Sequence, residues 1–78
     1  MKEPTVKQKD VFEFIKSFKN ENEFSPTYRE IGERFSITVK GAYGHAQALK
    51  KKGYIDIQPG KARAIKIINH FPDAGEKV

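Results

Sequence analysis

Two helices joined by a tight corner are encoded by residues 27–53, TYREIGERFSITVKGAYGHAQALKKKG. Thr27 caps the first of them, and Glu30 completes a capping box three residues later. This helix is only about eight residues long, which is too short to persist alone in water, so it must pack against a neighbour. The turn is Ser36-Ile37, and an apolar residue in a turn predicts a buried corner.

The second helix of the pair, predicted over Val39–Lys52, is amphipathic. Ala42, Ala46 and Leu49 recur at i, i+4 and i+7 and predict its inner face, where small side chains let another helix approach closely. Three consecutive lysines, Lys50–Lys52, end the helix just before a glycine. A short helix packed across a second helix with a basic end is how small domains place side chains in the major groove of DNA.

A further helix precedes this pair, and a β-hairpin follows it. The first helix is predicted from Val6 to about Lys19, with a capping box formed by Thr5 and Gln8. After the pair, two alternating apolar runs flank the turn Pro59–Ala62 and predict a hairpin, which must lie against the helices to be stable.

The predicted fold class is mainly α with a small β-hairpin: a winged helix-turn-helix of three helices and a two-stranded wing. It occupies residues 1–68. Residues 69–78 contain proline, glycine and charge without periodicity, and are predicted to be a flexible tail or the start of an interdomain linker.

Positive charge is concentrated in the middle of the chain. Residues 1–33 carry six basic and seven acidic side chains, whereas residues 34–66 carry eight basic side chains and one acidic. Residues 67–78 carry one basic side chain and two acidic ones. Charge that only maintains solubility does not need such segregation, so a polyanion is the expected partner.

The outward face of the third helix contains the candidates for contact with bases. Lys40 can reach a base edge or a phosphate, and Gln47 a phosphate or an adenine edge. Tyr43 can donate to a phosphate or lay its ring against a thymine methyl, but it can also pack partly on a neighbouring helix. Gly41 and Gly44 each cost about 1 kcal/mol relative to alanine within a helix, which suggests either close approach of DNA to the backbone or a frayed first turn.

Other polar residues are candidates for contact with the DNA backbone. Lysines at a helix C-terminus are stabilised by the helix dipole, but three in succession also suggest phosphate contact. Lys61 and Arg63 flank the tip of the wing and can enter the minor groove or bind phosphate, although a lysine in a turn is also ordinary. Ser25 and Thr27 lie at a helix start, where hydroxyls serve both as caps and as phosphate ligands. The complete set is Ser25, Thr27, Gln47, Lys50, Lys51, Lys52, Lys61 and Arg63.

Several other classes of protein are disfavoured. The sequence has no cysteine and only two histidines, so neither a disulfide framework nor a thiolate metal site is expected, and no metal or other cofactor is predicted. It contains no phosphate-binding glycine loop, no paired carboxylates in an apolar setting and no plausible catalytic triad, so we predict that the chain is not an enzyme. No apolar run approaches the roughly 20 residues of a membrane span, and we expect a cytoplasmic protein.

Four segments resemble the N-terminal DNA-binding domain of the LexA repressor family. They are TVKQKDVFEFI (5–15), SPTYREI (25–31), LKKKGYI (49–55) and RAI (63–65). The motifs Pro-Thr-x-x-Glu-Ile and Lys-Lys-Gly-x-Ile follow one another at nearly the family's spacing, and the resemblance covers about residues 1–68.

This resemblance implies a bacterial transcriptional repressor that binds palindromic operators as a dimer and typically controls the DNA-damage (SOS) response. It also implies a C-terminal self-cleaving domain with a serine–lysine pair, which this chain lacks; dimerisation in solution is therefore expected to be weak or absent. The family's base-reading positions map onto Thr38, Lys40, Gly41, Tyr43 and Gly44. Better-known members carry asparagine at the position of Lys40 and glutamates at those of Tyr43 and Gly44, so a different operator is expected.

Two rival functions remain open from the sequence. One is a winged-helix module that binds another protein, and the other is a nucleic-acid binder without sequence preference. A protein-binding module would more often present an exposed apolar patch than a segment with a net charge of +7 over residues 34–66.

Overall fold

The computed structural model of the protein describes residues 3–68. Its elements are, in order, α1 (Val6–Asn22), α2 (Tyr28–Phe35), α3 (Val39–Lys51), β1 (Ile55–Ile57) and β2 (Ile65–Ile67). Three helices followed by a two-stranded antiparallel sheet confirm the predicted winged helix-turn-helix. The tail predicted over residues 69–78 lies outside the described residues, and the domain boundary at residue 68 stays a prediction.

Two capping boxes start the first two helices, as predicted. At α1 the Thr5 hydroxyl accepts a hydrogen bond from the Gln8 backbone N–H at 3.2 Å, and the Gln8 side chain accepts one from the Thr5 backbone N–H at 3.1 Å. At α2, Thr27 and Glu30 form the same reciprocal pair, at 3.1 Å and 2.9 Å. Each box satisfies two backbone donors that the helix itself leaves unpaired.

The first helix is longer than predicted, since it continues past Lys19 to Asn22. The apolar period ends near Lys19, but polar residues with adequate helix propensity continue the helix at little cost. The helix stops where Glu23 adopts a left-handed conformation, with φ of 66°, and donates its backbone N–H to the Lys19 carbonyl at 2.7 Å.

The corner between α2 and α3 depends on a glycine that sequence reasoning missed. The Ile37 backbone N–H donates to the Gly32 carbonyl at 2.9 Å, which folds the chain back over the end of α2. A Cβ at Gly32 would lie 2.7 Å from the Ile37 carbonyl oxygen, so this close backbone approach requires glycine. The Ile37 side chain packs against the core, in agreement with the predicted buried corner.

The inner face of α3 is the predicted one: Ala42, Ala46 and Leu49 are fully buried. The helix ends with Gly53 at φ of 90°, where the backbone N–H of Tyr54 donates to the Leu49 carbonyl at 3.0 Å. Such a left-handed stop turns Tyr54 back into the core. The remaining fully buried apolar side chains from α1 and α2 are Val11, Phe12, Ile15 and Ile31.

The hairpin is antiparallel, and Ile55 lies opposite Ile67 while Ile57 lies opposite Ile65. These isoleucines share the face that packs on the helices. The second strand starts at Ile65, two residues later than the alternating run predicted. Arg63 belongs instead to the wing loop, residues 58–64, from which its side chain reaches Glu30.

Candidate nucleic-acid interface

The exposed face of α3 is set by its cap and by its buried alanines. The Thr38 hydroxyl accepts a hydrogen bond from the Gly41 backbone N–H at 2.9 Å and fixes the first turn. With Ala42 and Ala46 inward, Lys40 and Tyr43 are left on the outside, and Tyr43 is 46% exposed. The outward stripe at i, i+3, i+4 and i+7 spacing is Lys40, Tyr43, Gly44 and Gln47, of which only Gln47 is half-buried.

The two glycines of this helix have different surroundings. Nothing lies within 4 Å of the position that a Cβ would take at Gly44, so no contact within the described domain requires a glycine there. At Gly41 a Cβ would lie 3.3 Å from the Thr38 hydroxyl oxygen, so the capped turn itself favours a small residue. The close-approach argument therefore applies to Gly44, whereas Gly41 has an internal explanation.

Tyr43 rests on Tyr28 of α2. Their rings meet edge to face, with centroids 5.2 Å apart and planes at 82°. The Tyr28 hydroxyl is buried without a hydrogen-bond partner among the described residues. Burial, and secondarily the neighbouring Tyr43, raises the pKa of Tyr28, so that its hydroxyl stays protonated. Tyr43 is thus packed partly on a neighbouring helix, as one of the two alternatives had it, and its contact with DNA stays a prediction.

A groove of about 400 Å³ separates α3 from the wing. Each wall contributes a lysine, Lys50 from the helix and Lys61 from the wing loop, and the two tyrosines lie on the helical side. Groove walls that carry positive charge, with the exposed Tyr43 as a further hydrogen-bonding side chain, provide the chemistry for holding a phosphodiester backbone. The lining consists of Tyr28, Tyr43, Gln47 and Lys50 on the helical side, and Ile57, Gln58, Pro59, Gly60, Lys61 and Ala64 on the other.

The three consecutive lysines do not share one environment. Lys50 and Lys51 are exposed at the end of α3. The Lys52 ammonium instead donates to the Gln8 side chain at 2.6 Å and to the Glu3 carbonyl at 3.2 Å, at the start of α1. Lys52 therefore ties two helix ends together, a role that helical spacing alone does not reveal.

Arg63 and Ser25 also have internal surroundings. The Arg63 guanidinium forms two hydrogen bonds with the Glu30 carboxylate, at 2.8 and 3.1 Å, and a third with the Ser25 carbonyl at 2.9 Å. Ser25 is only 5% exposed. The prediction that Ser25, Lys52 and Arg63 contact the DNA backbone has no support from these surroundings, and we leave the three out of the proposed interface.

Within residues 3–68, no group of three or more histidine, cysteine, aspartate or glutamate side chains is placed to hold a metal ion. In the same part of the chain, no helix combines the length and apolar character needed to cross a lipid bilayer. His45 is half-buried on α3.

Residues 1–64 match the family model described as the LexA DNA binding domain. The chain belongs to the LexA DNA-binding domain family. The match includes all three helices, the first strand and the wing loop, so the interface described above falls entirely within it. The family resemblance inferred from the four sequence segments is thereby confirmed.

Relatives named LexA repressor align with nearly all of this LexA domain. The protein from Leptospira interrogans is 47% identical over 72 residues, which cover 92% of this chain and 36% of the relative. The protein from Thermotoga neapolitana is 45% identical over 80 residues, which cover 97% of this chain and 41% of the relative. The chain thus spans between 36 and 41% of the length of these bacterial relatives.

Proposed function

We propose that this LexA domain binds double-stranded DNA with sequence preference, as the DNA-binding part of a transcriptional repressor. The outward stripe of α3 enters the major groove, and the wing lies against the flanking backbone. The observation that carries the proposal is the groove between α3 and the wing, which has one lysine on each wall. Membership of the LexA DNA-binding domain family supports the same function. The proposed action is binding, without a chemical step.

Base reading is assigned to the first two turns of α3. Lys40 donates to the acceptors of a guanine edge or to a phosphate, and the Tyr43 ring contacts a thymine methyl. Gly44 lets the DNA approach the helix backbone, since its position is open to solvent. Thr38 and Gly41, which form the capped start of the helix, complete the proposed reading surface.

Backbone contacts are assigned to residues around the groove and the start of α2. Lys50 and Lys61 place positive charge on the two sides of a phosphodiester chain that lies in the groove, and Lys51 adds to it at the helix end. The Gln47 side-chain amide donates to a phosphate from the helical wall of the groove. Thr27 completes the set, because its hydroxyl can donate to a phosphate while it accepts from the Glu30 backbone N–H.

We further propose that two copies bind a palindromic operator. A winged helix-turn-helix reads a few base pairs, and a two-fold arrangement doubles the contact, with half-sites separated by about one helical turn, roughly 34–36 Å, or a multiple of it. Control of DNA-damage genes belongs to the same proposal and follows from the family resemblance.

Selection from a random-sequence duplex pool, followed by a salt titration of the winning duplex, tests this function. We expect a consensus with two-fold symmetry, and a log–log slope of affinity against salt near −0.9 for each phosphate neutralised. A flat salt dependence would favour a protein-binding role. A steep slope with no consensus would favour a nucleic-acid binder without sequence preference.

A further inference from the structure

The wing loop is joined to the start of α2 by a bidentate ion pair. The two terminal nitrogens of Arg63 donate to the two carboxylate oxygens of Glu30, at 2.8 and 3.1 Å. One of these nitrogens also donates to the Ser25 carbonyl at 2.9 Å, and the guanidinium lies 4.4 Å from the centre of the Phe24 ring. The guanidinium is therefore held by α2 and by the segment that precedes it.

Both ends of this ion pair are fixed in their own elements. The Glu30 oxygen that meets Arg63 also accepts the Thr27 backbone N–H at 2.9 Å and so completes the α2 capping box. On the other side, Arg63 is followed by Ala64, whose carbonyl accepts the Gln58 backbone N–H at 2.9 Å and closes the wing loop. The ion pair therefore connects the capped start of α2 to the wing loop and limits the distance between them.

The charges of this pair are poorly suited to attracting DNA directly. The Arg63 hydrogen bonds, and secondarily the Thr27 backbone N–H, lower the pKa of Glu30, so the carboxylate stays ionised and neutralises the arginine. A neutral pair adds nothing to the attraction of a polyanion, and exposed ion pairs contribute little to stability. A planar bidentate contact does, however, define geometry.

Tyr28 stands two residues before Glu30 in the chain and Ala64 directly follows Arg63, and both line the groove between α3 and the wing. We propose that Glu30 and Arg63 are positioning residues that hold the wing at the distance from α2 and α3 that admits a DNA backbone strand. Neither residue contacts DNA. This inference rests on the proposed function, and it changes the role predicted for Arg63 from a ligand of phosphate to a support for Lys61.

The competing explanation is that Arg63 leaves Glu30 when DNA arrives and binds phosphate itself. The two explanations predict opposite signs for Glu30→Gln. Glutamine keeps the oxygen that accepts from Thr27, so the capping box survives, while the charge that grips Arg63 is lost. If Arg63 is a phosphate ligand, the change releases it, removes a negative charge and strengthens binding. If Arg63 is a positioning residue, the wing loosens and binding weakens.

The experiment measures affinity for one duplex, recovered from a random-sequence pool with the unaltered domain. We expect Glu30→Gln to weaken binding at least about threefold despite the removal of a negative charge. Glu33→Gln, the same charge change at an exposed position of the same helix, is the matched control and should leave affinity unchanged or slightly raised. Equal or tighter binding by Glu30→Gln would overturn the inference.

Arg63→Lys provides a second variant that keeps the positive charge and loses the bidentate geometry. We expect it to weaken binding about as much as Glu30→Gln, whereas a phosphate ligand would be largely replaced by lysine. Circular dichroism under the binding conditions verifies that each variant is folded. If the unaltered domain itself binds no duplex, the proposed function fails; if it binds and the two variants bind as well as it does, only the positioning role fails.

Discussion

The rings of Tyr28 and Tyr43 meet edge to face, with centroids 5.2 Å apart, at the junction of α2, α3 and the groove beside the wing. This contact limits where the Tyr43 side chain can point, so a side chain proposed to meet bases is already oriented in the free domain. Less conformational entropy is then lost on binding than with a freely rotating side chain. The two helices thus cooperate in preparing one reading group.

Replacing Tyr43 is expected to alter which sequences are preferred. Tyr43→Ala removes the group assigned to a base edge, and a lost specific contact is worth about 1–3 kcal/mol at one base pair. Lys51→Ala should weaken all duplexes by a similar factor, because phosphate contact carries no sequence information. Parallel selections from a random pool with both variants distinguish them, and an unchanged consensus for Tyr43→Ala would show that the reading face is assigned wrongly.

The buried hydroxyl of Tyr28 gives a prediction about stability. Tyr28→Phe removes a polar group that lacks a partner while it keeps the ring against Tyr43. We expect the free energy of unfolding to stay the same or to rise by up to about 1 kcal/mol. Thermal denaturation measures this, with Tyr43→Phe as the exposed counterpart. Clear destabilisation by Tyr28→Phe would mean that the hydroxyl has a partner, such as a bound water.

Gly44→Ala is expected to act in opposite directions on stability and on binding. Alanine has space at this position and should stabilise the helix by roughly 0.5–1 kcal/mol. The same methyl group would keep the DNA away from the helix backbone and weaken binding. Chemical denaturation and a duplex titration measure the two effects, and undiminished affinity would remove Gly44 from the reading surface.

Gly32→Ala provides the contrasting glycine substitution. Its Cβ would lie 2.7 Å from the Ile37 carbonyl oxygen, so the corner between α2 and α3 must shift. Strain of this kind costs about 1–3 kcal/mol, and the relative position of the two helices changes with it. Chemical denaturation of the Gly32→Ala and Gly44→Ala variants side by side tests the expected difference in their stability. If both variants were stabilised equally, the corner would not require glycine.

The ion pair of Glu30 gives a pH dependence with a defined sign. Arg63 lowers the pKa of Glu30 below its usual 4.5, so the folded state favours the ionised carboxylate more strongly than the unfolded chain does. The resulting stability is present above 4.5 and is lost as the pH falls through the lowered folded-state value. Denaturation from neutral to acid pH should therefore show a smaller acid loss for Glu30→Gln than for the unaltered domain; equal losses would argue against an ionised Glu30 in the pair.

Local patterns allowed the helices and the hairpin to be predicted. The capping boxes at Thr5 and Thr27 depend on residues three positions apart, and the buried stripe of α3 depends on helical period. These interactions lie within one turn of helix, so the amino-acid order alone encodes them. The end of α1 was predicted too early because a polar sequence does not itself stop a helix, whereas the left-handed Glu23 does.

The corner at Gly32 shows a different limit. A glycine within a short helix looks like a cost in propensity, and its requirement appears only when the Ile37 carbonyl is seen to pass close to its Cα. That approach depends on how sharply α3 turns back across α2. The angle between α2 and α3 cannot be predicted from the hydrophobic period or the composition of the segment.

Amino-acid order alone determined the three helices, the hairpin and the concentration of positive charge between residues 34 and 66. Tertiary structure decided which of those charges remain available to a partner. Lys52 reaches Gln8, and Arg63 reaches Glu30, 44 and 33 positions away along the chain respectively. Such contacts depend on distance through space, and positions so far apart in sequence come within 3 Å of one another only after the helices and the wing have packed.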